Sequence, residues 1–328
     1  MIKLPNIDGT IWNIESKSVD IVNEILARGE LVIDLNSEGP CAQSLGLYDL
    51  LDFICDKVNV SKKLVTISTC NQIEKHHEYN IRINTPLYVN ETQNFFANTS
   101  LPANKTLDSE FYHFGIFIGR SNWIRLWLAS QVWKKCKNKT IMTYHWKSKD
   151  EFHAVHLGLD DMLRWNATLD EINQSCKFLK QCPLDFAEQN SYPILSPAHL
   201  NICKIYHKFF LEIVCETYFS GDSFYPTEKI WRPLVMKTPF VVHGPVDYLR
   251  NLRKLGFKTF NNWWSEEYDD YGHDNRVRKI LDLIDNLQKL SLNDLESIYH
   301  DMLPTLEHNH HLFMNLKAEN FKETFGYV

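Results

Sequence analysis

The run ELVIDL, residues 30 to 35, breaks into NSEGP, and a β-branched stretch that ends in turn-forming residues predicts a strand feeding a loop. In LGLYDLLDFICDKV, 45 to 58, Leu47, Leu50, Leu51, Ile54 and Val58 recur at helical spacing, and KLVTISTCN, 63 to 71, returns to a strand pattern. Together they predict a right-handed β-α-β unit with parallel strands. Residues 75 to 110 are polar and without period, as expected of a variable loop or an insertion facing an acceptor. A second strand and helix follow in HFGIFIGRSNWIRLWLASQVWKK, 113 to 135, with Ser121 or Asn122 as the helix N-cap. TIMTYHW, 140 to 146, is the returning strand, and helices are expected near 158 to 165 and 168 to 180. The alternation recurs in FFLEIVCETYF (209 to 219), TEKIWRPLVM (227 to 236), PFVVHGP (239 to 245) and VDYLRNLRKLGF (246 to 257), and 275 to 328 has the pattern of amphipathic helices.

Strands alternating with helices predict an α/β fold with open parallel sheets, and two such clusters predict two Rossmann-like lobes with a cleft between them. The first lobe is placed at 1–112 on the acceptor side and the second at 113–305 as the nucleotide-sugar side, with the boundary between 105 and 118. Residues 306–328 form a last helix that can pack back on the first lobe.

Composition narrows the class. The 328 residues, 44% hydrophobic, suffice for packed cores, and a formal net charge of −6 lacks the basic footprint of a phosphate-backbone binder. The eight cysteines form no C-x-x-C pair, so neither a zinc site nor a disulfide framework is expected, and they read as small buried hydrophobes in a reducing compartment. The N-terminus carries charges where a signal peptide needs an apolar run, and no stretch approaches the roughly 18 apolar residues of a membrane span. A cytoplasmic, soluble protein is the expectation, and N-x-S/T triplets such as those at Asn98, Asn138 and Asn166 then reflect composition.

The chemistry concentrates in 209 to 257. A buried strand ends at Val214 and Cys215, an acid follows at Glu216, and after a loop rich in Gly, Ser, Asp and Pro a helix opens with Thr227, Glu228 and Lys229. Ligands of parallel sheets bind at the carboxyl ends of strands, where a helix N-terminus offers N–H groups to a diphosphate. The same residues also suit simple capping, with Thr227 as N-cap, Glu228 in the first turn and Lys229 solvated.

The stretch ETYFSGDSFYPTEKIWRPLVMKTPFVVHGP resembles the donor-binding motif of the α-1,3-fucosyltransferase family: an acid closing a strand, then Y-x-T-E-K-x-W, a helix, and a strand ending P-x-V-x-G-P. IFIGRSNWIRLWLASQVW is similar to the strand, Ser-Asn and Arg-bearing helix with which that family opens its donor lobe, and FNNWWSEEYDD falls where the family has a short strand and an aspartate-rich turn. The resemblance covers 113 to 300 and is absent before residue 110. It implies a GT-B fold, a nucleotide-sugar donor (GDP-fucose in the family's known members), inversion at the anomeric carbon, and neither a cofactor nor an obligatory metal. Carried over, Glu228 holds the ribose, Lys229 and Arg125 neutralise the departing diphosphate, and Glu216 contacts the sugar or orders the loop. Arg120, Ser121, Asn122, Tyr218, Tyr225 and Thr227 complete the donor set. Thr217 stands where the family commonly has Asn, and the loop 218 to 226 contains an unusual Gly221-Asp222, so the sugar is left open.

Inversion needs a base from the opposite lobe. Glu38 is the candidate, with Asp34 as runner-up, and Glu38 serves equally well as an ordinary turn residue. His113, His145 and His243 at strand ends fit structural hydrogen bonding better than base chemistry. Trp263 and Trp264 are candidate sugar platforms, whereas Trp123, Trp127 and Trp231 have the spacing of core residues. HNHH at 308 to 311 lacks the partners of a metal site and reads as a helix end or solvated segment. Two other functions stay open: glycosylation of hydroxylated DNA bases, for which RVRK (276 to 279) and LRNLRKLGFK (249 to 258) are the basic clusters, and a non-catalytic nucleotide-binding protein of the same fold.

Overall fold

The computed structural model describes residues 2–3, 17–36, 39–84, 88–97, 105, 111–119, 121–144, 162–182, 184 and 202–327. They form a mixed α/β structure with two four-stranded sheets in which every strand pairing is parallel. The first sheet runs in chain order: β1 (Ile2–Lys3), β2 (Leu31–Leu35), β3 (Val65–Thr69) and β4 (Asn80–Ile83). In β2, Leu31, Ile33 and Leu35 are buried and pack with Ile21 and Ile25 of α1 (Ser18–Arg28) and with Leu51 and Ile54 of α2 (Leu47–Val58). This is the period-two pattern meeting the 3.6-residue pattern that the sequence carries.

The second sheet has β5 (Tyr112–Ile118), β6 (Thr140–Tyr144), β7 (Phe209–Cys215) and β8 (Phe240–His243) in the order β6-β5-β7-β8. All seven residues of β7 are buried, the continuous apolar signature of a strand covered on both faces. Helix α4 (Trp123–Cys136) is buried on nearly every side, because the sheet covers one face and two later helices the others: α5 (Leu169–Leu179), started by a Thr168/Glu171 capping box, and α8 (His273–Leu287). Trp127 and Trp231 are core residues, as their spacing implies. The remaining helices are α6 (Glu228–Val235), α7 (Tyr248–Lys254), α9 (Leu292–Met314) and α10 (Ala318–Phe325).

Several expectations change. The span 75 to 110 contains β4 and a helix, α3 (Tyr88–Ala97). The strand is an edge strand with no fully buried position, and the helix buries Thr92 between Val89 and Phe96, so neither shows a clean apolar period. Val89 and Phe96 join the second core. Among the described residues 260 to 270 form no strand; Glu267–Asp270 is a 3-10 turn. Its Asp269 accepts from the backbone N–H groups of Leu249 (3.0 Å) and Arg250 (3.1 Å), capping the start of α7. The HNHH run lies within α9 and is structural: the rings of His308 and His310 hydrogen-bond the carbonyls of Gly256 and Val235, and Asn309 clamps Lys258 through both its N–H and its C=O.

The Arg232–Glu212 ion pair lies inside the second core. Arg232 of α6 reaches Glu212 of β7 at 3.1 Å, and Tyr206 donates a short hydrogen bond to the same carboxylate. Burial still pushes the Glu212 carboxyl up against the pull of the guanidinium. A charge pair so placed is costly to break from one side only. Arg232→Leu should therefore lower unfolding free energy by about 3–5 kcal/mol in urea titrations, and Glu212→Leu/Arg232→Leu should recover part of that loss. Equal stability of the single and double variants would contradict this account.

Candidate functional site

In the order β6-β5-β7-β8 the chain leaves β5 toward one side for β6 and then returns to the other side for β7. Connections that diverge in this way open a crevice at the carboxyl ends of the two strands. The first sheet, in sequential order, has no such point. Ser121 and Asn122 follow β5, and Glu216 follows β7. Asn122 is the N-cap of α4, its side chain accepting from the Arg125 backbone at 2.9 Å, and the Ser121 hydroxyl is hydrogen-bonded to the buried Tyr144 phenol.

Arg125 is 4% exposed and closes the crevice floor. Its guanidinium donates to the carbonyls of Cys215 (3.2 Å) and Glu216 (3.3 Å) and to the Thr217 hydroxyl (2.8 Å). It therefore ties the end of β7 to the start of α4. Thr217, the departure from the family pattern, is the residue that receives its shortest hydrogen bond here.

Glu216 is held from three directions. Its carboxylate accepts from the Thr227 hydroxyl (2.7 Å), the Thr227 N–H (3.3 Å) and the Tyr248 phenol (2.6 Å), while its backbone N–H donates to His243 O at 2.9 Å. Burial raises its pKa in spite of these donors and of nearby Lys229. Thr227 is the N-cap of α6, as the capping arrangement requires. Lys229 is not solvated: its side chain is 13% exposed, and Nζ donates to Glu228 Oε1 (2.9 Å) and Thr227 Oγ1 (3.1 Å). Burial pushes the Glu228 carboxyl up, but the charges of Lys229 and Arg232 outweigh it and hold the pKa below the ordinary value. The second oxygen of Glu228, Oε2, is buried and has no hydrogen-bond partner among the described residues. A carboxyl oxygen can accept a hydrogen bond.

Tyr218 and Tyr225 are both buried, in the loop that leads from β7 to α6. The Tyr218 phenol is pushed up to about 12 by burial, with Ser220 and the Cys41 backbone as hydrogen-bond partners. Tyr225 packs on Gly39, where an added Cβ would come within 2.6 Å of its own Cβ. This loop docks on the strand-end loops of the first sheet. Asn71 accepts from Phe224 N (2.9 Å) and donates to Asp222 O (3.0 Å) and Glu74 (2.9 Å), Gln72 N donates to Phe224 O (2.9 Å), and the Ser223 hydroxyl donates to Gly39 O. Glu74, raised by burial, also accepts from Tyr48 and from Ala42 N. From the other end of the chain, the Tyr327 phenol reaches Gln72 Oε1.

The site residues expected from sequence thus divide. Ser121, Asn122, Arg125, Glu216, Thr227, Glu228 and Lys229 converge on the crevice, while Tyr218 and Tyr225 serve the contact between the loops of the two sheets. Glu38 and Arg120 lie outside the described residues, as does His145. Asp34 receives the Asn36 N–H at 2.9 Å within its own turn. His243 is buried at the end of β8 beside the Phe219 ring, and His113 bonds Leu290 O at the opposite end of the sheet. Trp263 and Trp264 are not platforms for this crevice: they pack with Phe260 beneath the amino end of β8, and Trp263 donates to Asp301. Asn71, Gln72, Glu74 and Tyr248 were missed. The polar run Thr69-Cys70-Asn71-Gln72 closing a buried strand is the signal that marked the first two.

No protein-family model, curated protein or solved structure matches the chain.

Two consequences are measurable. Gly221 has φ +68°, and a Cβ there would lie 1.9 Å from Ser44 Oγ; Gly39 has φ +59° and the Tyr225 conflict. Gly221→Ala and Gly39→Ala should each cost about 1–3 kcal/mol in urea titrations and speed proteolysis of the 218 to 226 loop. Gly272→Ala, with nothing within 4 Å, should stay within about 0.5 kcal/mol of the parent. The two acids should shape the pH profile in opposite directions. Glu228, depressed, contributes stability present above the ordinary carboxyl value of 4.5 and lost as pH falls through its folded value. Glu216, raised, contributes stability present below 4.5 and lost as pH rises through its folded value. Melting temperature against pH should therefore lose part of its acid limb in Glu228→Gln and part of its decline with rising pH in Glu216→Gln; unchanged profiles would refute the assignment.

Proposed function

We propose that the chain is a GT-B-like, inverting glycosyltransferase that takes a nucleotide-sugar, GDP-fucose or a similar donor, into the crevice beside α6 and transfers the sugar to a hydroxyl of a glycan or other acceptor. The observation that carries this reading is the Glu228 carboxyl at the start of α6, paired with the Lys229 ammonium at 2.9 Å through one oxygen and with no hydrogen-bond partner among the described residues for the other. Paired ribose hydroxyls are donors of the right kind for such an oxygen, and the resemblance assigns Glu228 that task. Lys229 then has two roles: it keeps Glu228 ionised, and it offsets negative charge that builds on the diphosphate as the sugar leaves. Arg125 supports the site through the β7 carbonyls, so its charge acts from the floor of the crevice.

In this reading the first sheet and its loops form the acceptor lobe, the second sheet the donor lobe, and the base comes from the acceptor side, with Glu38 as the candidate. Metal is dispensable because a lysine and a helix N-terminus supply the positive potential. Glycosylation of DNA fits less well. Arg250, Arg253 and Lys279 of its two basic clusters are paired with Asp247, Glu266 and Glu267, and Arg276 is buried on backbone carbonyls, which leaves little free charge for phosphates.

A panel of GDP-, UDP-, CMP- and dTDP-sugars, screened in EDTA for thermal stabilisation and hydrolysis, tests the reading directly. With the donor identified, Lys229→Ala should lower turnover on the order of 10²-fold, more than it weakens donor binding. Lys229→Arg should rescue only in part, because a guanidinium fork differs in shape from an ammonium. A fully active Lys229→Ala protein with an unchanged melting temperature would sink the donor-site assignment, and stabilisation by nucleotides without any turnover would favour the non-catalytic alternative.

A further inference from the structure

The outward face of α5 has no role in the crevice. Toward the core the helix presents Ser175, Phe178 and Leu179; toward solvent Leu169, Asn173, Lys177 and Lys180 recur at i, i+4, i+8 and i+11, on one face about 16 Å long. Across a groove of about 450 Å³ stands Lys134 of α4, and among the described residues the acid that lines the groove is Asp170. Three lysines against one aspartate reverse locally the sign of a chain whose formal charge is −6. Leu169, on the first turn of this face, is 74% exposed, and just before the helix Leu163 is 52% exposed and Trp165 36%. They are held rigidly, since Thr168 and Glu171 close a capping box around Leu169 and the Trp165 ring stacks on buried Trp123 at 6.0 Å, 5° from parallel.

We propose that this face docks the protein peripherally on an anionic lipid surface. An exposed leucine on the lysine-bearing helix face, with a leucine and a tryptophan exposed in the segment that leads into it, matches the interface of a bilayer, where apolar groups enter the acyl boundary and lysine stems reach the phosphates. Charge complementarity selects lipid phosphate, because the cations that would repel a basic partner are those that a negatively charged leaflet attracts. No helix among the described residues is long and apolar enough to cross a membrane. This proposal stands independently of the donor crevice.

Co-sedimentation of the full chain with vesicles of phosphatidylcholine, alone or mixed with phosphatidylglycerol, tests it. Binding should require phosphatidylglycerol and weaken with salt. Lys134→Glu, Lys177→Glu and Lys180→Glu should each reduce partitioning about fivefold or more. Leu163→Ser/Leu169→Ser should reduce it about tenfold with the melting temperature unchanged, because both side chains are exposed in the fold. Absence of binding to either vesicle, or binding that ignores both sets of variants, overturns the proposal. Binding that inorganic phosphate competes away and the leucine pair leaves untouched marks a site for a soluble anion, and overturns it as well.

Discussion

The carboxyl of Glu216 is buried, and its three hydrogen-bond donors fix the geometry at the top of the second sheet. A buried carboxyl must be matched by donors or be neutralised. Here the match draws Thr227, the first residue of the α6 turn, and Tyr248, the first of α7, onto the end of one strand. With the backbone bond to His243, a single residue thereby sets the positions of β8, α6 and α7 relative to β7. The location of Lys229 and Glu228 is a consequence of that arrangement, since both follow the cap that Glu216 holds.

Two acids within this small volume take opposite protonation tendencies. For Glu216 burial outweighs the pull of nearby Lys229 and the hydrogen bonds from Tyr248 and Thr227; for Glu228, in direct contact with Lys229 and near Arg232, the cations outweigh burial. The difference lies in the partners. Hydroxyl and amide donors offset part of a desolvation penalty, whereas an ammonium at 2.9 Å supplies a Coulombic attraction that grows as the surroundings become less polar. One carboxyl is thus inclined to keep its proton and the other to lose it.

Contact between the loops of the two sheets is polar and shape-specific. Asn71 meets the backbone of 222 to 224 with both faces of its amide, and Gly39 and Gly221 allow approaches that no side chain would tolerate. Such a contact depends on amides and glycines being in register. It links loops of the first sheet to the segment that carries Glu216 into α6.

From the amino-acid order alone came the alternation of strands and helices, the parallel character of the sheets, the buried tryptophans, the N-caps at Asn122 and Thr227, and the cluster from Glu216 to Lys229. These are legible because they depend on local period and on capping chemistry within a few residues. Edge strand β4 and helix α3 escaped because their apolar positions are few. The misplaced Trp263 and Trp264, and the histidines of α9, show that residue type without position says little about role. Strand order, and with it the switch point between β5 and β7, was settled only in three dimensions, because it depends on which strands pair across 90 or more residues. The same holds for the engagement of Arg125 by backbone carbonyls, the pairing of Lys229 with Glu228, and the meeting of Asn71 with a loop 151 residues distant. A side chain's partner is chosen by folding, and a charge that reads as solvated in sequence becomes a buried ion pair when a neighbouring strand closes over it.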